Sequence, residues 1–119
     1  MAYADLLSRL EDIRDAIDEA MRFTAGMSYE GYLADPLVRR GTERCIEIIS
    51  EASRHIPVKR KAEHPQVPWR NVADIGNVLR HGYRLVDHAV IWSVVHDHLP
   101  ALRTAIEQML GDLGASEPE

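Results

Sequence analysis

Apolar residues recur every three to four positions through most of this chain, and this spacing constrains the fold more than any other feature. In residues 5–24 the recurring positions are Leu6, Leu10, Ile13, Ile17 and Met21. An interval of three to four residues places these side chains on one face of an amphipathic α-helix. No segment shows the strict alternation of apolar and polar residues that a half-buried strand needs. The chain is therefore predicted to be all-α.

Three further helices are predicted from the same spacing. The second covers residues 36–55, and its apolar face consists of Leu37, Gly41, Cys45, Ile48, Ile49 and Ala52. The third covers residues 69–79 and presents Val72, Ile75 and Leu79. The fourth is capped by Asp87 and presents Val90, Ile91, Val94 and Val95, before Pro100 restarts or kinks the chain. We expect an antiparallel bundle of four to five helices with short connections.

Turn-forming residues separate these helices. Gly26 ends the first helix, Ser28 can cap a short helical turn, and Pro36 begins the next helix. Gly41 lowers helix propensity by about 1 kcal/mol unless another helix approaches it closely. The segment "IPVKRKAEHPQVPW" contains three prolines and no periodicity, so it is predicted to be the main loop, interrupted at most by a turn. One domain is expected over residues 1–111, followed by a loose acidic tail over residues 112–119.

Length and composition exclude several classes of protein. The chain has 119 residues, which is about the length of one domain. Its single cysteine, Cys45, excludes an intrachain disulfide, and the apolar-periodic stretch around it favours packing over a nucleophilic role. The chain shows neither a signal-peptide pattern nor a run of about 18 apolar residues. A soluble, cytoplasmic protein that does not contact a membrane is therefore expected.

Charge is distributed unevenly along the chain, whose net charge is -5. Residues 54–88 contain seven Lys or Arg residues against three acids, so this segment carries +4 and the remainder carries -9. A local positive field favours an anionic ligand such as RNA or a nucleotide, or an acidic protein surface. A solvated basic loop without a ligand would have the same composition.

Polar and charged residues crowd the segment that joins the third and fourth predicted helices. They are Asp74, Asn77, Arg80, His81, Tyr83 and Arg84. Asn77 and His81 are four residues apart and share a helix face. An imidazole can take the 2′-hydroxyl proton of RNA or protonate the leaving oxygen, while an arginine stabilises charge on phosphorus. The same residues could instead form only a polar helix end, and spacing alone leaves both interpretations open.

Other candidate residues are interpreted as structural. His96, Asp97 and His98 diverge around a helix and lack a further ligand pattern, so no metal site is predicted. His55 and His64, which flank the basic loop, are expected at the surface. Four aromatic residues are assigned packing roles in the core or at a subunit interface: Tyr29, Tyr32, Trp69 and Trp92. No glycine-rich nucleotide motif is present, so no cofactor is expected.

Two long segments carry a family resemblance. They are "RFTAGMSYEGYLADPLVRRGTERCIEIISEASRHIP" and "VPWRNVADIGNVLRHGYRLVDHAVIWSVVHDHLPALR". The second contains Pro-Trp-Arg, then Asn-x-x-x-His-x-Tyr, then an aspartate before an apolar helix with a tryptophan, and finally Leu-Pro. The matching residues are Pro68, Trp69, Arg70, Asn77, His81, Tyr83, Asp87, Ile91, Trp92, Leu99 and Pro100. Over nearly its whole length the chain resembles the HepT-like branch of the HEPN superfamily.

The resemblance implies an all-α homodimer in which the motifs of two protomers face each other across a cleft. It implies a metal-independent ribonuclease toxin, with His81 as general acid or base, Asn77 orienting it, and Arg80 or Arg84 contacting phosphate. Arg70 and Arg84 are the further RNA-binding residues. The implied partner is a nucleotidyltransferase antitoxin of the MNT type, which neutralises the toxin by transferring AMP to the motif tyrosine, here Tyr83, or by forming a complex with it. A phosphate anion added inside a basic cleft would obstruct RNA.

One position departs from the family pattern. The motif arginine, five residues before the histidine, aligns with Gly76. Either Arg80 or Arg84 substitutes for it, or the chain is a degenerate HEPN domain that binds RNA or a protein partner without cleaving RNA. A purely structural helical dimer is the third hypothesis.

Overall fold

A computed structural model describes residues 3–82 and 86–116, and all regular structure within these ranges is helical. The helices are α1 (Tyr3–Thr24), α2 (Tyr29–Ala34), α3 (Pro36–Ser53), α4 (Val58–Lys61), α5 (Trp69–His81), α6 (His88–Ser93) and α7 (Leu99–Ser116), with a π-helical turn at Val94–His98 between the last two. The all-α prediction is confirmed. No described helix is long and apolar enough to cross a membrane.

The core lies where α1 packs against α3 and α7 and where α3 packs against α5. Its largest fully buried side chains are Leu10, Ile13, Ile17, Tyr32, Ile46, Val95, Ile106 and Met109. Three residues assigned to apolar faces lie at the surface instead: Met21 is 37% exposed, Leu37 is 83% exposed and Val90 is 51% exposed. Leu37 is the second residue of α3, where no other described helix covers it, and Val90 lines a surface groove described below.

Capping side chains set the helix boundaries. Ser28 accepts a hydrogen bond from the Gly31 N–H, and Asp87 accepts one from the Ala89 N–H, as predicted for both residues. Asp35 caps α3 by accepting from the Val38 N–H at 3.1 Å, directly before Pro36. The α3 helix ends at Ser53, two residues before its predicted end. The predicted loop contains the single helical turn α4.

The π-helical turn has a local cause in the sequence. Pro100 has no N–H to bond the carbonyl of residue 96, and its ring crowds that carbonyl. The Leu99 N–H therefore reaches back five residues to the Val94 carbonyl, and the helix continues as α7. Pro100 was predicted to restart or kink the chain, and the structure accommodates it with this π-helical turn. The α7 helix passes residue 112, the predicted start of the loose tail, and continues to Ser116; Leu113 is still buried.

Two small residues of α3 allow α1 to pack closely. A Cβ atom on Gly41 would lie 3.1 Å from the ring of Phe23, so the close approach predicted at this glycine is present. Cys45 is 2% exposed, and burial raises the pKa of its thiol to about 11. The thiol is therefore protonated at neutral pH, in agreement with the packing role predicted for it.

An ion pair joins α1 to α7 and leads to a prediction about pH. Arg103 Nε lies 2.7 Å from Asp18 Oδ1, and Nη2 lies 3.2 Å from Oδ2. The hydrogen bonds from Arg103 lower the pKa of Asp18 below its ordinary value. A carboxyl with a lowered native-state pKa stabilises the fold above its unfolded-state pKa of about 4 and loses that contribution as the pH falls through the native value.

Arg103→Met is therefore expected to lower the unfolding temperature at pH 7, with a smaller difference from the wild type below about pH 4. The effect is small because both side chains are more than one-third exposed to solvent. Thermal unfolding measured from pH 2.5 to 7 tests this expectation. A difference that stays constant over the whole range would show that the ion pair is not its cause.

Candidate functional site

The candidate site lies where α5 crosses the end of α3. At the crossing, the Ser50 hydroxyl donates to the Ala73 carbonyl at 2.8 Å and accepts from the Gly76 N–H at 3.0 Å. Arg54 Nη2 donates to the same Ala73 carbonyl at 2.7 Å. A side chain of α3, Ser50, and the residue that follows α3, Arg54, therefore fix the position and rotation of the helix that carries the polar cluster.

Gly76 is buried in this contact, which gives it a structural role. A Cβ atom at residue 76 would lie 2.5 Å from Ser50 Oγ and 2.8 Å from Ser50 Cβ. Real Cβ atoms essentially never approach other atoms so closely, so any larger residue would push the helices apart. No arginine fits at position 76 while Ser50 holds this place. The departure from the family motif therefore coincides with a close helix–helix contact.

Arg80 brings a guanidinium to the vicinity of residue 76 from one helical turn further along. Its Nη1 lies 3.9 Å from the place where a Cβ of residue 76 would be. Its Nη2 donates to Asn77 Oδ1 at 2.7 Å, and its Nη1 lies 3.9 Å from Glu51 Oε2. Arg80 therefore curls back toward Asn77 instead of pointing straight out from its own helix position.

The helix face that carries Asn77 and His81 is open to solvent. Asp74, Asn77 and His81 are all exposed, and their spacing along α5 places them on one side of it. His81 is the last residue of α5. Tyr83 and Arg84 lie outside the described residues. Of the predicted site residues, the structure joins Asn77 and Arg80 by a hydrogen bond, and His81 lies one helical turn after Asn77.

Arg70 does not belong to this cluster. It is exposed in the first turn of α5, and His81 lies eleven residues further along, a rise of about 16 Å. Arg70 and Arg80 therefore lie toward opposite ends of α5. The basic side chains of α4 precede the N-terminal end of α5 in the chain. Burial lowers the pKa of Lys61. The Lys61 amine lies 5.9 Å from the centre of the Trp69 ring.

The loop before α5 is folded more tightly than its composition predicted. The Trp69 indole N–H donates to the carbonyls of Lys61 and His64, each at 3.1 Å. These bonds draw the loop inward, so His64 is only 7% exposed and its predicted surface position is wrong. His55 is partly exposed, and its Nε2 lies 3.5 Å from Glu51 Oε1.

A second cluster, of aromatic residues, is structural, as predicted. Tyr32 is fully buried, and its ring centre lies 5.3 Å from that of Trp92. His96 packs against the same indole at 4.0 Å, and its Nδ1 lies 2.9 Å from the Trp92 carbonyl oxygen. Asp97 instead accepts a hydrogen bond from Ser93. Within the described residues, no group of three His, Cys, Asp or Glu side chains is arranged to hold a metal ion.

An apolar groove separates α5 from α6 and α7. It has a volume of about 290 Å³, and its lining includes Ile49, Val72, Ile75, Val90, Val94 and His98. Val78, on the exposed side of α5, is 54% exposed. This surface is more apolar than a solvated helix face requires.

Glu51 and Ser50 are site residues that the sequence analysis missed. Both lie in α3, which was assigned only to the core. The four-residue spacing of Glu51 and His55 was the available signal for a polar face at the end of α3.

Comparison with known proteins gives one consistent family. The sequence matches the family described as Ribonuclease HepT-like over residues 13–109. A protein of Thermococcus cleftensis named "Probable ribonuclease HepT" is 38% identical over 100 residues, covering 84% of this chain and 91% of the relative. A "Putative RNase" of Methanocaldococcus jannaschii is 29% identical over 107 residues, covering 90% of this chain and 98% of the relative. No solved structure matches the chain significantly.

Proposed function

Because this chain belongs to the family of HepT-like ribonucleases, we propose that it is a metal-independent endoribonuclease acting through His81, Asn77 and Arg80. The observation that carries the proposal is the 2.7 Å hydrogen bond from Arg80 to Asn77, because it holds a guanidinium beside the helix face of His81. That guanidinium also lies beside Gly76, the position at which the family motif has an arginine. Arg80 is therefore the proposed phosphate-binding residue.

The proposed reaction uses the RNA as its own nucleophile. A His81 imidazole takes the proton of a 2′-hydroxyl, and the 2′-oxygen attacks the adjacent phosphorus. The bond from phosphorus to the 5′-oxygen breaks, and that oxygen takes a proton from a second imidazolium. The products are a 2′,3′-cyclic phosphate and a 5′-hydroxyl. Arg80 stabilises the negative charge that develops on the phosphoryl oxygens.

The active form is proposed to be a homodimer, which supplies the second His81. The apolar groove between α5 and α6–α7, together with the exposed side chains of Val78 and Val90, supports a face covered by a second copy. Light scattering at micromolar concentration tests this part of the proposal. A monomeric mass would contradict it.

Control by an MNT-type antitoxin is proposed from the family resemblance. AMP attached to Tyr83 would place a phosphate anion two residues from His81 and repel RNA from the site. Intact mass spectrometry of the protein co-expressed with a nucleotidyltransferase antitoxin is expected to show a mass increase, mapped to Tyr83 by peptide fragmentation. A complex that forms without modification would contradict control by AMP transfer.

The test of the catalytic proposal is cleavage of RNA by purified protein in excess EDTA. Cleavage that persists in EDTA and leaves 2′,3′-cyclic phosphate ends is the expected result. If RNA binds with a strong dependence on salt but is not cleaved with or without divalent ions, the chain is an RNA-binding module and the catalytic proposal is wrong.

A further inference from the structure

We propose that Glu51 is a positioning residue that, together with Asn77, holds the guanidinium of Arg80 in place to receive a phosphate. The inference rests on the proposed function. It also goes beyond it, because Glu51 belongs to α3, outside the motif segment, and carries the charge opposite to the one that RNA binding favours.

Two contacts from two helices define the position of Arg80. Asn77 of α5 accepts from Nη2 at 2.7 Å, and the Glu51 carboxylate of α3 lies 3.9 Å from Nη1. Because the guanidinium is planar and rigid, contacts at its two terminal nitrogens restrict both its location and its plane. A guanidinium has five N–H donors, so others remain for phosphate oxygens, and the Arg80 side chain is 36% exposed.

Glu51 contributes little to the fold itself. Its side chain is 51% exposed, and its other ionic contact among the described residues is with His55, two residues past the end of α3, at 3.5 Å. Exposed ion pairs of this kind contribute less than about 1 kcal/mol to stability. A carboxylate beside a phosphate-binding arginine also opposes the binding of RNA. The role expected for Glu51 is therefore to orient the guanidinium of Arg80.

These opposing effects give Glu51→Gln a signature that a merely structural residue would not have. Removal of the negative charge is expected to tighten binding of a non-cleavable RNA carrying 2′-deoxy or 2′-O-methyl nucleotides, by less than about fivefold. Loss of the charged contact to Arg80 is expected to lower kcat by about tenfold or more, because small misplacements of a catalytic group are costly. Binding and turnover thus change in opposite directions.

Glu47→Gln is the matched control. Glu47 lies one turn earlier on α3 and pairs with Arg44 of the same helix at 3.1 Å. The control removes the same charge from the same helix, so it is expected to leave kcat unchanged. If Glu51→Gln has the kcat of the wild type or of Glu47→Gln, Glu51 does not position a catalytic arginine.

A second measurement separates this inference from the proposed function. In NMR spectra of the Arg side chains, the Arg80 guanidinium is expected to rotate more freely in Glu51→Gln than in the wild type or Glu47→Gln. This readout needs no RNA cleavage. If the wild type cleaves no RNA, the proposed function is wrong and the NMR result still decides whether Glu51 holds Arg80. Unchanged Arg80 rotation would overturn the inference whatever the cleavage result.

Discussion

Replacing Gly76 with alanine is expected to lower the free energy of unfolding by about 1–3 kcal/mol, the usual range for an overpacked contact. The new Cβ would meet Ser50 Oγ at 2.5 Å and Ser50 Cβ at 2.8 Å. The hydroxyl can rotate away at the cost of its hydrogen bonds to α5, but Ser50 Cβ is fixed by the backbone of α3. By helix propensity alone, alanine would stabilise the helix by about 1 kcal/mol relative to glycine. A net loss of stability in Gly76→Ala would therefore have to come from the clash with Ser50.

Gly111→Ala is the control for this prediction. Gly111 lies within α7, and among the described residues no atom outside the neighbouring backbone of its own helix lies within 4 Å of the position its Cβ would take. This substitution is expected to raise stability by up to about 1 kcal/mol, through helix propensity alone. Urea unfolding of both variants measures the difference. If Gly76→Ala is stabilised as Gly111→Ala is, the close contact at Ser50 does not exist.

Replacing Arg80 with alanine is expected to lower kcat/KM for RNA cleavage by about 100- to 1000-fold, the usual effect of removing one donor to a charged transition state. Arg80→Lys is expected to recover only part of this loss. A lysine carries the charge, but it cannot contact Asn77 and Glu51 through two planar nitrogens and also offer further donors to phosphate. Initial rates of cleavage of a labelled RNA measure both variants.

Arg70→Ala is the control for a general loss of positive charge. Arg70 lies on the same helix but about 15 Å along it from Arg80. Its loss is expected to weaken RNA binding and reduce the salt dependence of binding while leaving kcat close to that of the wild type. Equal loss of kcat in both variants, or none in Arg80→Ala, would contradict the assignment of Arg80.

Much of the fold could be predicted from the periodic apolar residues, because burial of one helix face decides both helix formation and helix packing. The α1 helix ends at Thr24, and Asp87 caps α6, which is the fourth helix predicted from the sequence. The exposed Leu37 and the buried His64 could not be predicted. Their burial depends on which other segment reaches them, and local spacing carries no information about such distant contacts.

The candidate site could be predicted only where one helix supplies it. Asn77 and His81 share a face of α5, and helix geometry alone places them together. The contributions of Ser50 and Glu51 depend on the crossing of α3 and α5, twenty-six residues apart along the chain for the Ser50–Gly76 bond. Gly76 illustrates the same limit. In the motif it marks a missing arginine, whereas in the fold it is the point of closest contact between two helices.

The most direct test of the account compares RNA cleavage by wild-type and His81→Ala protein, purified in parallel and assayed in the same buffer with EDTA. His96→Ala, altered at the aromatic cluster, controls for a contaminating nuclease. The wild type and the control are expected to cleave at similar rates, and His81→Ala is expected to cleave at least about 100-fold more slowly. Equal cleavage by all three proteins would contradict the claim that the end of α5 is a ribonuclease site.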